Sequence, residues 1–94
     1  MKVETLLRRL GDGKLAGDRG VRVKRITHDS LQVVPGTVFA AIPGEHVHGV
    51  KFVDQAAQAG AAAVLSDRRR PKLINLQWIK VAKPRPALAR AALI

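Results

Sequence analysis

Apolar residues recur at Val3, Leu6, Leu7 and Leu10, spaced i, i+3, i+4 and i+7. This spacing lays one apolar stripe along a short helix, which Gly11 and Gly13 bring to an end. Residues 11–20 hold four glycines and read as a loop. Residues 21–28 (VRVKRITH) are rich in β-branched side chains and predict a strand. Its alternation is imperfect, because Ile26 falls on the face opposite Val21 and Val23. Pro35–Gly36 marks a turn. Thr37–Ile42 (TVFAAI) is a continuous apolar run, the pattern of a strand buried on both faces, and Pro43–Gly44 stops it. Residues 44–49 (GEHVHG) form a loop bounded by glycines. Lys51–Ala59 predicts a helix with Phe52, Val53, Ala56 and Ala57 inward and Gly60 as its stop. Ala61–Leu65 is a second buried strand, and Ser66–Leu73 is a polar, basic loop. Gln77–Ala82 is a third strand, with Trp78 and Lys80 on one face and Ile79 and Val81 on the other. Pro84 and Pro86 precede a helix that begins near Ala87 and is still running at Ile94, which implies that the natural protein continues.

Strands and helices alternate, so the class is α/β. At 94 residues the chain is one small domain with a thin core, carried by aliphatic side chains. Cysteine is absent, which removes disulfides and thiolate metal sites and fits a reducing cytoplasm. Charges interrupt the first ten residues, so they do not read as a signal peptide. No run approaches the ~20 apolar residues of a membrane span. The net charge of +10 points to an anionic partner. Only Arg68–Arg70 forms a tight basic run, and it reads as a solvated loop. Nucleic-acid binders pair such charge with exposed aromatics for stacking. One Trp and two Phe in the whole chain argue against that pairing.

The chemistry-bearing residues are few. His28, Asp29 and Ser30 could be assembled on paper as a hydrolytic set, but no nucleophile-elbow motif surrounds Ser30. His28, His46 and His48 lack the partner set and spacing of a zinc site, so no metal is expected. No G-x-x-x-x-G-K-[ST] loop is present for ATP phosphates. Two loops remain, Thr27–Ser30 and Gly44–Gly49, each leaving the C-terminal end of an expected strand. Open α/β sheets collect ligands at that end. Hydroxyls, imidazoles and free backbone N–H groups there suit a uracil edge, a ribose and a pyrophosphate. These residues alone describe a binder of a phosphate-bearing metabolite.

The run Ile26–Asp67 also resembles the N-terminal domain of the Mur ligases. It matches most closely the UDP-N-acetylmuramoyl-tripeptide synthetase (MurE) type. The resemblance is carried by Thr27, Asp29 and Ser30; by Pro35, Gly36, Phe39, Ala40 and Gly44; by Gly49 and Phe52; and by Ala56, Gly60 and Ala61. It implies a small mixed sheet with flanking helices, and residues 1–94 as a single UDP-substrate-binding domain that stops before an ATP-binding central domain. That domain would hold the UDP end of a UDP-N-acetylmuramoyl-peptide through His28, Ser30, Glu45, His46 and Val47. Pro35, Gly36, Gly44 and Gly49 would shape the turns. Central and C-terminal domains would bring ATP, magnesium and the incoming amino acid, so this chain alone would need no cofactor and catalyse nothing. Two positions depart from the pattern: Leu31 replaces an Arg, and His48 replaces an Asp, so the hydrogen bonds inside the second loop are expected to differ. Phe39 and Phe52 are expected in the core, Asp29 in a turn, and Trp78 half-buried with its indole N–H at the edge. The alternatives are the terminal-dipeptide-adding (MurF) type, a small basic nucleic-acid-binding module, and a remnant that keeps the fold without the ligand.

Overall fold

The computed structural model describes residues 1–91, and the expectation for the helix beyond them lies outside the described residues. In chain order the elements are α1 (Val3–Leu10), β1 (Lys14–Ala16), β2 (Arg25–Thr27), β3 (Thr37–Ala41), α2 (Val53–Gln58), β4 (Ala63–Ser66), β5 (Gln77–Lys80) and α3 (Pro84–Ala91). Short 3₁₀ turns lie at Ser30–Gln32 and Gly49–Phe52. The strands form one five-stranded sheet in the order β1-β5-β4-β3-β2. Strands β2 to β5 are parallel neighbours, and β1 joins β5 antiparallel. The result is a mixed α/β layer.

Strands β3 and β4 are buried at every position, as continuous apolar runs require when both faces are covered. One face packs Val38, Ala40, Leu65 and Ile79 against Val3 and Leu6 of α1 and Ala87 and Ala91 of α3. The other packs Phe39, Val64 and Trp78 against Val53 and Ala56 of α2. Alternation along the strands divides the apolar residues between the two layers.

Several elements differ from the sequence expectation, each for a local reason. The strand expected over 21–28 is divided. Val21 and Val23 pair with the N-terminal segment: Val3 N–H donates to the Val21 carbonyl at 2.8 Å, and Val23 N–H to the Met1 carbonyl at 2.7 Å. Only Arg25–Thr27 joins the sheet, beside β3. Ile26 falls out of alternation where pairing passes from one partner to the other. Strand β1 sits inside the region that read as a loop; three residues among glycines are too short to show a period. Helix α3 begins at Pro84 rather than near Ala87, with two prolines in its first turn, where a missing N–H costs nothing. Phe52, expected in the core, is 40 % exposed, because Gly49–Phe52 forms a 3₁₀ turn before α2 instead of its first helical turn. Trp78, expected half-buried, is 1 % exposed, and its indole N–H donates to the Arg68 carbonyl at 2.7 Å.

Candidate functional site

Strand β2 ends at Thr27, and the chain turns at once. The Thr27 hydroxyl accepts from the Asp29 N–H at 3.1 Å, and the Asp29 carboxylate accepts from the Leu31 N–H at 2.9 Å. Asp29 thereby caps the turn Ser30–Gln32, a common use of a short acidic side chain. The turn presents Ser30, whose hydroxyl donates to Gln55 Oε1 of α2 at 3.2 Å. His28, Asp29, Ser30, Leu31, Phe52 and Gln55 surround an open depression of about 440 Å³, within the ~300–1,000 Å³ range of small-molecule sites. Its polar groups are the Ser30 hydroxyl, the Gln55 amide, the His28 imidazole and the Asp29 carboxylate. Leu31, at 77 % exposure, and Phe52 supply apolar wall. Such a surface suits a flat ring with a polar edge. It does not suit triad chemistry, since the Ser30 hydroxyl donates to Gln55 and the Asp29 carboxylate holds the Leu31 N–H.

The second loop leaves β3. Pro43 and His48 form an antiparallel bridge, and Gly44 N–H donates to the Val47 carbonyl at 3.0 Å. Glu45, His46 and Val47 make the exposed tip and do not line the depression beside Ser30. The expected site residues therefore fall into two groups, His28 with Ser30 in one depression and Glu45–Val47 on the neighbouring loop. Both glycines are places of close approach. A Cβ on Gly44 would stand 2.5 Å from the Val47 carbonyl oxygen, and one on Gly49 would stand 2.9 Å from the Ile42 nitrogen. Gly36 has a φ of 89°, a conformation open to glycine and strained for most other residues.

His48 anchors the base of this loop. Its Nδ1 accepts from the Val50 N–H at 2.9 Å, and its Nε2 lies 2.7 Å from Asp67 Oδ1 at the end of β4. An Nδ1 that accepts must carry no proton, so the proton sits on Nε2 and is donated to the carboxylate. At this position, where the family pattern has Asp, His48 caps the following turn and links the loop to the next strand. Its side chain is 10 % exposed.

Gln55, Asp67 and Arg85 were not singled out in the sequence. Gln55 has a weak signal there, a polar residue between the inward positions Val53 and Ala56. Arg85 Nη2 donates to the Pro43 carbonyl at 3.1 Å from 42 residues away, which no local pattern reveals. Among the described residues no group of three or more His, Cys, Asp or Glu could hold a metal ion, and no helix is long and apolar enough to cross a membrane.

Residues 22–93 match the Mur ligase family, catalytic domain. The chain belongs to the Mur ligase family. It is similar to the UDP-N-acetylmuramoyl-L-alanyl-D-glutamate–2,6-diaminopimelate ligase of Streptomyces coelicolor, at 42 % identity over 83 residues, covering 85 % of the chain and 16 % of the relative. The ligase of the same name from Chlorobium phaeobacteroides is 35 % identical over 96 residues, covering 98 % of the chain and 19 % of the relative. A crystal structure of MurF from Acinetobacter baumannii superposes with a TM-score of 0.80 at 26 % identity, covering 96 % of the chain and 20 % of that protein. The chain thus spans about a fifth or less of the length of the Mur ligases it matches. These relatives carry the name of the tripeptide-synthetase type, in agreement with the pattern in Ile26–Asp67. The mixed sheet and flanking helices are shared with the dipeptide-adding Mur ligase structure as well.

Proposed function

We propose that this Mur ligase domain holds the uridine end of a UDP-N-acetylmuramoyl-peptide, within a longer ATP-dependent ligase that adds the third residue of the peptidoglycan stem peptide. The observation that carries the reading is the depression beside Ser30, at the C-terminal end of β2, with hydroxyl and amide groups at its floor and apolar wall around them. Ser30, Gln55 and His28 supply donors and acceptors for a uracil or ribose edge. The exposed tip Glu45–Val47 lies on the loop after the neighbouring strand and offers further contacts. The names of the relatives, UDP-N-acetylmuramoyl-L-alanyl-D-glutamate–2,6-diaminopimelate ligases, support the peptide precursor and third-residue addition. ATP and magnesium fall to the remainder of the ligase, because the chain has no glycine-rich phosphate loop.

The test is an NMR titration of this chain with UDP and with UDP-N-acetylmuramoyl-dipeptide, repeated on Ser30→Ala and Gly44→Val. Wild-type shifts are expected at His28, Ser30 and Glu45–Val47. Removing the Ser30 hydroxyl should weaken UDP by about tenfold, the worth of one hydrogen bond. A side chain at Gly44 should weaken it by displacing the Val47 carbonyl. Unchanged affinity in folded forms of both variants would overturn the assignment.

A further inference from the structure

Across the β1–β5 pair, Lys14 stands directly opposite Lys80. Both lysines are exposed. Like charges directly opposed on an antiparallel pair weaken it. Exposed lysine on an edge strand also discourages pairing with other chains, but that purpose needs no second lysine in register and no arginines beside it. Here the arginines are present. The segment after β4, expected as a solvated loop, has a fixed backbone: Arg68 N–H donates to the Ser66 hydroxyl at 3.1 Å, and the Arg68 carbonyl accepts from the Trp78 indole at 2.7 Å. Arg70 Nη1 donates to the Leu76 carbonyl at 3.3 Å. Next to these contacts, Arg69 and Arg70 join Lys14 and Lys80 around a depression of about 330 Å³ beside Trp78.

No carboxylate lines that depression. Asp12 and Asp67 border the lysine pair on its other side. Asp12 pairs with Arg90 at 3.4 Å, and Asp67 accepts from the neutral His48 imidazole at 2.7 Å and keeps its charge. Four cations therefore converge with no acid among them on that side, near the C-terminal ends of two parallel strands, where α/β sheets receive ligands.

We propose that Lys14, Lys80, Arg69 and Arg70 form a binding site for a pyrophosphate-sized anion, two adjacent phosphate groups on a soluble ligand. Arginine provides planar donors and lysine compact charge, and phosphate oxygens accept from both. The site stands apart from the Ser30 depression. Strands β5 and β1 are three and four ladder steps from β2, roughly 14 and 19 Å at the usual strand spacing. It does not depend on the uridine reading.

The experiment titrates this chain with inorganic pyrophosphate, following backbone and side-chain NMR signals, with and without saturating uridine, which carries no phosphate. Saturable shifts at Lys14, Arg69, Arg70 and Lys80 that persist with uridine present are the expected result. Lys80→Gln should weaken pyrophosphate about tenfold and raise Tm, because it relieves the opposed charges. Arg69→Ser, remote from the core, should weaken binding at unchanged Tm. Shifts spread over all basic residues without saturation would overturn the site, as would full displacement by uridine. A single-stranded oligonucleotide is the second arm. If it binds far more tightly than pyrophosphate, with a salt dependence beyond two neutralised phosphates, the face is a nucleic-acid surface and the small-anion site is wrong.

Discussion

The loops that leave β2 and β3 begin on neighbouring strands, yet they are held by different means. The first, Thr27–Gln32, has one backbone bond, Gln32 N–H to the Asp29 carbonyl at 3.0 Å, and is otherwise held by side chains: the Thr27 hydroxyl, the Asp29 carboxylate, and the Ser30 hydroxyl reaching Gln55. Each of those side-chain contacts is solvent-exposed and could be replaced by water. The second, Pro43–Gly49, is held mainly by backbone packed against backbone, with the Gly49 N–H on the Ile42 carbonyl at 2.8 Å, by one mostly buried imidazole, and at its start by the Arg85 guanidinium on the Pro43 carbonyl. Gly49 and His48 are less exposed than the first loop's contacts, so water replaces them less readily. The difference separates two tasks at one end of the sheet. The second loop gives a rigid frame that positions its tip, and the first gives polar groups that can exchange their present partners for a ligand's.

Substitutions should break the rigid loop hardest. Gly49→Ala places a Cβ 2.9 Å from the Ile42 nitrogen and 3.0 Å from the Ala41 Cα and the Ile42 oxygen. None of these is a flexible side chain, so β3 itself must shift. Overpacking of this kind costs about 2–3 kcal/mol, which in a domain this small lowers Tm by roughly 10–20 °C. Thermal unfolding followed by circular dichroism measures it. An unchanged Tm would mean that the loop yields easily and that the contrast between the loops is false.

His48→Ala comes next. It removes the acceptor for the Val50 N–H and leaves Asp67 without its partner. The loss should be about 2 kcal/mol, one turn cap plus a partly buried charged hydrogen bond. Asp67→Asn keeps an oxygen for the Nε2 proton and should cost less than half as much. Denaturant midpoints of the two variants give the ranking, and equal losses would mean that the charge on Asp67, not the geometry, holds the link.

Asp29→Ala belongs to the exchangeable loop. It removes the acceptor for the Leu31 N–H from an exposed turn, and about 1 kcal/mol should be lost. Proteolysis near Leu31 would report the local opening; a fall in stability as large as that of His48→Ala would place both loops in one class.

The same contrast governs how much the sequence disclosed. Strands β3 and β4 were legible because burial on both faces leaves an uninterrupted apolar run, and α1 because its stripe has the helical period. The order of motifs from Ile26 to Asp67 was enough to bring out the family. What stayed hidden was set at long range. Val21 and Val23 pair with Met1 and Val3, so a β-rich stretch is shared between two partners. Strand β1 has three residues, and its place at the edge is fixed by β5, more than sixty positions away. Phe52 follows the helical period, but the glycine turn before α2 rotates it outward. At the candidate site the residue types and loops were visible. The Ser30–Gln55 and His48–Asp67 contacts were not, since each joins segments more than fifteen residues apart that only the sheet brings together.

The smallest effect on stability should come from the residue expected to matter most for binding. Ser30→Ala removes an exposed hydroxyl whose partner, Gln55, can turn to water. Surface changes of this kind stay within about 0.5 kcal/mol. If the first loop is built for exchange, that near-silent change should still weaken UDP by about tenfold, while Gly49→Ala loses stability first and binding as a consequence. Measuring Tm and UDP affinity on the same preparations of both variants separates the cases. Should Ser30→Ala lower Tm as Gly49→Ala does, the hydroxyl is part of the frame; should it change neither quantity, the ligand is held by other groups of the depression and Ser30 only closes the turn.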